Sequence, residues 1–140
     1  MGVRFLSTRT HGLLDLLTAG TLLALPRALG WSERVTKLTT NAALGTLGYS
    51  LLTRYEFGLL KVLPMEAHLA LDAASGAAFC ASPLLLADEE PEVKQALAGI
   101  GLFELFAALT TRTHPRPAPT RRRIIPEDAR TSRQAALGRV

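Results

Sequence analysis

The stretch HGLLDLLTAGTLLALP, residues 11–26, decides how this chain folds. It is an almost unbroken Leu/Ala run that carries one imidazole and one carboxylate near its start and meets no basic residue before Arg27. Leu and Ala are strong helix formers, and a helix over about 10–25 is expected, stopped by Pro26, which cannot continue the backbone ladder. His11 and Asp15 are four residues apart, so they share one helical face a turn apart. Three further segments read the same way: about 35–53 (VTKLTTNAALGTLGYSLLT), about 65–87 (MEAHLALDAASGAAFCASPLLLA) and about 93–111 (VKQALAGIGLFELFAALTT).

A helix that crosses a bilayer needs roughly 17–25 mostly apolar residues, and all four segments sit at the short end of that range. A soluble four-helix bundle would instead give each helix one polar face. Residues 13–26 hold one acid and no base, 42–53 carry no charge, and 67–87 contain only His68 and Asp72 as charged or titrating side chains apart from Cys80. Most of the other polar residues are Gly, Ser and Thr, which suit close contacts between helices in lipid. The expectation is an all-α protein in which residues 1–112 form four transmembrane helices, arranged as two tandem helical hairpins. A soluble four-helix bundle is the alternative.

The net charge of +4 is unevenly divided. Residues 1–111 are acidic by two charges and 112–140 basic by six. The basic pI therefore describes a Pro/Arg-rich tail, 113–140, expected to be disordered. Such a tail suits anionic lipid head groups; it lacks aromatics for base stacking, so nucleic acid is not an expected partner. Cys80, the single cysteine, lies in an apolar run and supports neither a disulfide nor a cysteine metal site. The first apolar run carries Asp15 and no clean small-x-small cleavage site, so a cleaved leader is not expected.

Sliding the chain by 57 residues without gaps pairs His11 with His68, Asp15 with Asp72, Pro26 with Pro83 and Thr53 with Thr110. Ten identities fall in the 43 positions from 11 to 53. The implied copies, about 8–54 and 65–111, are each two helices long. Both would enter the membrane from one side, related by a pseudo-two-fold axis along the membrane normal. That places the two His-x-x-x-Asp pairs at one depth.

The segments RFLSTRTHGLLD, LLTRYEFG, PMEAHLALD and ASPLLL resemble the SPW-repeat family of small bacterial integral membrane proteins, over about residues 4–113. Neither copy here has the Ser-Pro-Trp tryptophan: Ser82-Pro83 is followed by Leu84, and the first copy reads Leu25-Pro26-Arg27. The resemblance implies paired membrane helices in a bacterial cytoplasmic membrane and no assigned activity. Six flanking Lys/Arg against four favour both termini on the cytoplasmic side.

His11, Asp15, His68 and Asp72 form the candidate polar cluster. Neutral imidazole and carboxylate can bind a metal such as Zn²⁺; a bis-histidine haem or a proton relay uses the same groups, since ionisable residues in membranes are costly and tend to be functional. The plainer alternative is that each Asp orients its own His, or that the pairs cross-link helices. Glu104, in the fourth segment, is a secondary candidate, with Tyr49 or a threonine as its partner. Glu66, within a turn of His68, is another. Tyr55 reads as an interfacial anchor, and Gly45, Gly48, Gly99 and Gly101 as small residues for helix contact. There is no phosphate loop and no Ser/His/Asp triad. A non-enzymatic membrane protein with no resident cofactor is the first expectation, its partners the lipid bilayer and further copies of itself; a metal-, haem- or proton-binding protein is the second.

Overall fold

A computed structural model describes residues 4–114. The tail expected to be disordered lies outside the described residues, apart from its first two positions. Four helices follow in order: α1 Thr8–Ala28, α2 Glu33–Leu52, α3 Met65–Leu85 and α4 Pro91–Thr110. No strand occurs among the described residues; two isolated parallel bridges, Leu6 with Thr111 and Thr53 with Leu63, are the only extended pairings.

Each helix begins and ends for a local reason. The Ser7 side chain accepts from the Thr10 amide and starts α1 two residues earlier than expected. Ser32 caps α2 in the same way through the Val35 amide. Pro91 opens α4, where its missing N–H removes no bond. Pro26 does not stop α1, contrary to expectation. It falls in the last turn, where the only bond lost is the one its own nitrogen would have made. The stop comes later: Gly30, at φ 64, turns the chain, and the Trp31 amide reaches back to the Pro26 carbonyl at 2.9 Å. Pro83 is likewise inside α3. Here the preceding Ser82 hydroxyl donates to the Phe79 carbonyl at 2.7 Å, the acceptor that Pro83 leaves without an amide partner.

α1 with α2, and α3 with α4, make two antiparallel hairpins whose tight turns lie at one end. The other end is where α1 and α3 begin and α2 and α4 finish. There the strand-like pairings close the bundle in two matching ways. The Leu6 amide donates to the Thr110 carbonyl and the Arg112 amide to Leu6; the Leu63 amide donates to Leu52 and the Arg54 amide to Leu63.

The apolar core sits in the turn-side half, built on Ala19, Leu22, Val35, Phe79, Leu86 and Leu97. The opposite half buries a smaller apolar cluster, Tyr55, Met65 and Leu69, beside a larger set of polar groups. Thr8, His11, Asp15, Thr46, Ser50, Thr53, His68, Asp72, Glu104 and Thr111 are all buried, while Leu13, Leu17, Leu44, Leu71, Leu102, Phe106 and Leu109 are exposed. Leucines outside and titrating groups inside invert the usual arrangement of a water-soluble protein. By length and whole-helix composition, only α4 among the described helices is apolar enough to cross a membrane.

The buried positions recur at a regular offset. Six of the seven in α1 (8, 11, 12, 15, 19, 22) return on α3 57 residues later; the seventh, Pro26, has buried Ser82 one residue short of its counterpart. Those of α2 (35, 39, 43, 46, 50) return on α4 at an offset of 58, as 93, 97, 101, 104 and 108. The second turn is one residue longer than the first, which the ungapped register could not represent. In the folded register Val35 matches Val93, Leu47 matches Leu105, Thr53 matches Thr111, and Glu104 matches Thr46 rather than Leu47.

Candidate metal centre

His11 lies in the first turn of α1 and His68 in the first turn of α3, with Asp15 and Asp72 one turn further along. Because both helices start at the same end of the bundle, the four side chains meet on its axis. His11 Nε2 is 2.8 Å from Asp72 Oδ2 and 3.3 Å from Asp15 Oδ1. His68 Nε2 is 3.1 Å from Asp15 Oδ2 and 3.2 Å from Asp72 Oδ2. The two Nε2 atoms are 3.2 Å apart. One donor atom from each residue can be chosen so that all four lie within 4.8 Å of one another, every one of the residues being buried. The pairs thus interleave: each Asp serves the other helix's His as well as its own.

Two threonines set the rings. Thr53 Oγ1 is 2.8 Å from His68 Nδ1, and Thr111 Oγ1 is 2.9 Å from His11 Nδ1. Each hydroxyl also donates to the carbonyl four residues back, Thr53 to Tyr49 at 2.7 Å and Thr111 to Ala107 at 2.6 Å. A hydroxyl has one proton, and one already directed at a carbonyl can only accept from the ring. That assigns the ring proton to Nδ1 in both histidines and leaves both Nε2 lone pairs aimed at the centre. The carboxylates are held from α2 alone: the Tyr49 hydroxyl donates to Asp72 Oδ1 and the Ser50 hydroxyl to Asp15 Oδ2 at 3.2 Å.

Two lone pairs and two carboxylates directed at one buried point require positive charge there. A proton on each ring supplies it, and so does one divalent cation. For an ion with bonds of about 2.0–2.1 Å to nitrogen and oxygen, a tetrahedral shell has donor–donor edges of about 3.3 Å. The observed His–His and His–Asp separations run from 2.8 to 3.3 Å. The Nδ1–H···Thr···carbonyl chain is the outer support that metal-bound histidines ordinarily have.

The connection between α2 and α3 roofs the site. Tyr55 is buried, its ring tilted against His68 at 5.6 Å with Phe57 beside it, so it is a wall of the site and not an interfacial anchor. Burial pushes its phenol above the ordinary value. Gly12 makes this possible, since a Cβ there would collide with the rings of both Tyr55 and Phe57. Thr8 donates to both oxygens of Glu56 and ties the roof to α1.

Comparison with family models, with curated proteins and with solved structures returns no match.

The secondary candidates divide. Glu104 is buried and lines a cavity of about 10 Å³ with His11, Asp15 and Asp72. Glu66 is exposed, 3.9 Å from His114, and takes no part in the cluster. Tyr49 serves Asp72, not Glu104. Of the four glycines expected at helix contacts, only Gly101 makes one; Gly45, Gly48 and Gly99 face open space. Sequence reasoning misses Thr53, Thr111 and Ser50, and assigns Tyr49 to the wrong acid. The threonine pair could have been found by allowing one residue of slip between the copies; Tyr49 and Ser50 carry no such signal, since α4 has Ala107 and Ala108 in their places.

Proposed function

We propose that this chain is a small four-helix membrane protein that holds one divalent transition-metal ion, of the Zn²⁺ class, between two tandem hairpins. The observation that carries the metal reading is the convergence of four buried protein donors within 4.8 Å of one another, with both Nδ1 protons engaged by threonines backed by carbonyls. A mixed nitrogen and oxygen set suits Zn²⁺, Fe²⁺ or Ni²⁺ better than Ca²⁺ or Mg²⁺. Haem is disfavoured, because two rings with Nε2 atoms 3.2 Å apart and carboxylates between them leave no room for a macrocycle.

The membrane reading is supported by the inverted distribution of side chains. Whole-helix hydropathy averages over all faces and so counts His, Asp, Ser and Thr that are buried against lipid contact. The outward faces are rich in leucine, and helices of 20 or 21 residues span about 30 Å, the thickness of the hydrocarbon layer. A soluble bundle would leave Leu13, Leu16 and Leu17, or Leu102, Phe106 and Leu109, in water. With the turns outside, the copies are related by a pseudo-two-fold along the membrane normal, the metal lies toward the cytoplasmic side, and the resemblance to SPW-repeat proteins is retained as the family reading.

Membrane fractionation followed by elemental analysis of detergent-purified protein tests both parts. One transition-metal ion per chain is expected, lost in the His11→Ala/His68→Ala double variant. Protein that stays soluble without detergent contradicts the membrane reading. Protein that takes up no metal when offered Zn²⁺ contradicts the metal reading and leaves protons as the bridging charge.

A further inference from the structure

Glu104 is a buried acid that the four-donor cluster does not use. Its Oε2 is the only buried side-chain oxygen or nitrogen without a hydrogen-bond partner among the described residues. Native interiors rarely leave such an atom unpaired, and each case asks for a missing partner. Glu104 is 8% exposed, so bulk water does not serve it.

The space in front of Glu104 identifies that partner. The cavity of about 10 Å³ is lined by Glu104 and Thr46 together with His11, Asp15 and Asp72 of the cluster. That is room for about one water molecule, and a water needs two to four polar partners, which this lining supplies. The cavity reaches the cluster on one flank only. His11 lines it and His68 does not; the His68 ring is enclosed by Tyr49 at 4.9 Å and Tyr55 at 5.6 Å.

Resting on the metal reading above, we propose that Glu104 holds a water molecule in a fifth coordination position of the ion, making this an aquo-metal centre instead of a closed four-ligand structural site. The water oxygen faces the metal and one of its O–H bonds is donated to Glu104 Oε2, which satisfies the unpaired oxygen. Sites that retain an open, water-filled position are the ones that do chemistry, because the ion makes that water a far stronger acid than bulk water. Room for about one water makes the ligand class water or hydroxide. Thr46 lines the same cavity from the corresponding place on α2, where the second hairpin alone has a carboxylate.

The full-length protein loaded with Cu²⁺ in detergent tests this by electron spin-echo spectroscopy in D₂O. Nitrogen modulation from two imidazoles together with the strong deuterium coupling of a directly bound water is expected in the wild type. Glu104→Leu should keep the copper and the nitrogen signals and lose the water coupling. Glu104→Gln, nearly the same in volume, should keep the water but change its coupling, and it serves if the leucine variant does not fold. Wild-type protein without bound-water deuterons overturns the proposal, including the case in which Glu104 binds the ion directly. Variants indistinguishable from wild type overturn it as well. A wild type that binds no copper overturns the metal reading and this inference with it.

Discussion

The two hairpins bury nearly the same positions but fill them differently. In the middle of the bundle α1 and α2 bury Ala19 and Ala43 in one core cluster, whereas α3 and α4 bring together Gly76 and Gly101. A Cβ on Gly101 would stand 2.5 Å from the Gly76 carbonyl, and one on Gly76 would stand 2.8 Å from the Gly101 carbonyl, so the second pair is in backbone contact. Beside the cluster the contrast runs the other way. α2 supplies Tyr49 and Ser50 to the carboxylates, where α4 has Ala107 and Ala108. What the hairpins share is a His and an Asp from the first helix and a Thr that ends the second, each Thr reaching the other hairpin's His. The common part is therefore the part aimed at the centre, and the differing parts are those that position it.

The comparison can be broken first at the glycines. Gly101→Val should cost on the order of 3 kcal/mol or more, because rigid backbone faces the new side chain. Ala43→Gly, at the matching place in the first hairpin, should cost about 1 kcal/mol. Thermal unfolding in detergent compares the two, and equal losses would mean that the second crossing is no tighter than the first. The threonines give the next largest effect. Thr53→Val and Thr111→Val should each weaken Zn²⁺ binding about 10–100-fold by releasing a ring. Titration against a chelator checks this; a loss in only one of them would show that the hairpins do not contribute equivalently. Tyr49→Phe should have the smallest effect, about 1–2 kcal/mol at most from one hydrogen bond to a carboxylate. The same titration measures it, and a loss as large as that of the threonine variants would make Tyr49 part of the shared machinery.

How far the sequence could be read follows from which features repeat. Four helices were legible because Leu- and Ala-rich runs are separated by Pro, Gly and acidic turns. His11, Asp15, His68 and Asp72 were legible because a titrating pair at one spacing stands out within apolar surroundings. Their mutual contacts depend on both hairpins starting at the same end, which the ungapped offset already suggested. The threonines were hidden by the extra residue in the second turn, which shifts α4 by one and moves Thr111 opposite Arg54 in an ungapped comparison. Pro26 misled because a proline in a last turn is tolerated, and the true stop, Gly30, was only four residues on. Tyr55 misled for a different reason. Its burial depends on Gly12, 43 residues away, giving its ring somewhere to lie, and no local pattern records that.

The central claim is that two copies of one His–Asp–Thr arrangement enclose a single divalent ion. X-ray absorption at the zinc edge of Zn²⁺-loaded, detergent-purified protein tests it most directly. One zinc per chain is expected, with only nitrogen and oxygen neighbours at about 2.0–2.1 Å and the outer-shell scattering of two imidazoles, which disappears in His11→Ala/His68→Ala. A zinc shell containing sulfur, scattering from fewer than two imidazoles, or the same spectrum in the double variant would contradict it.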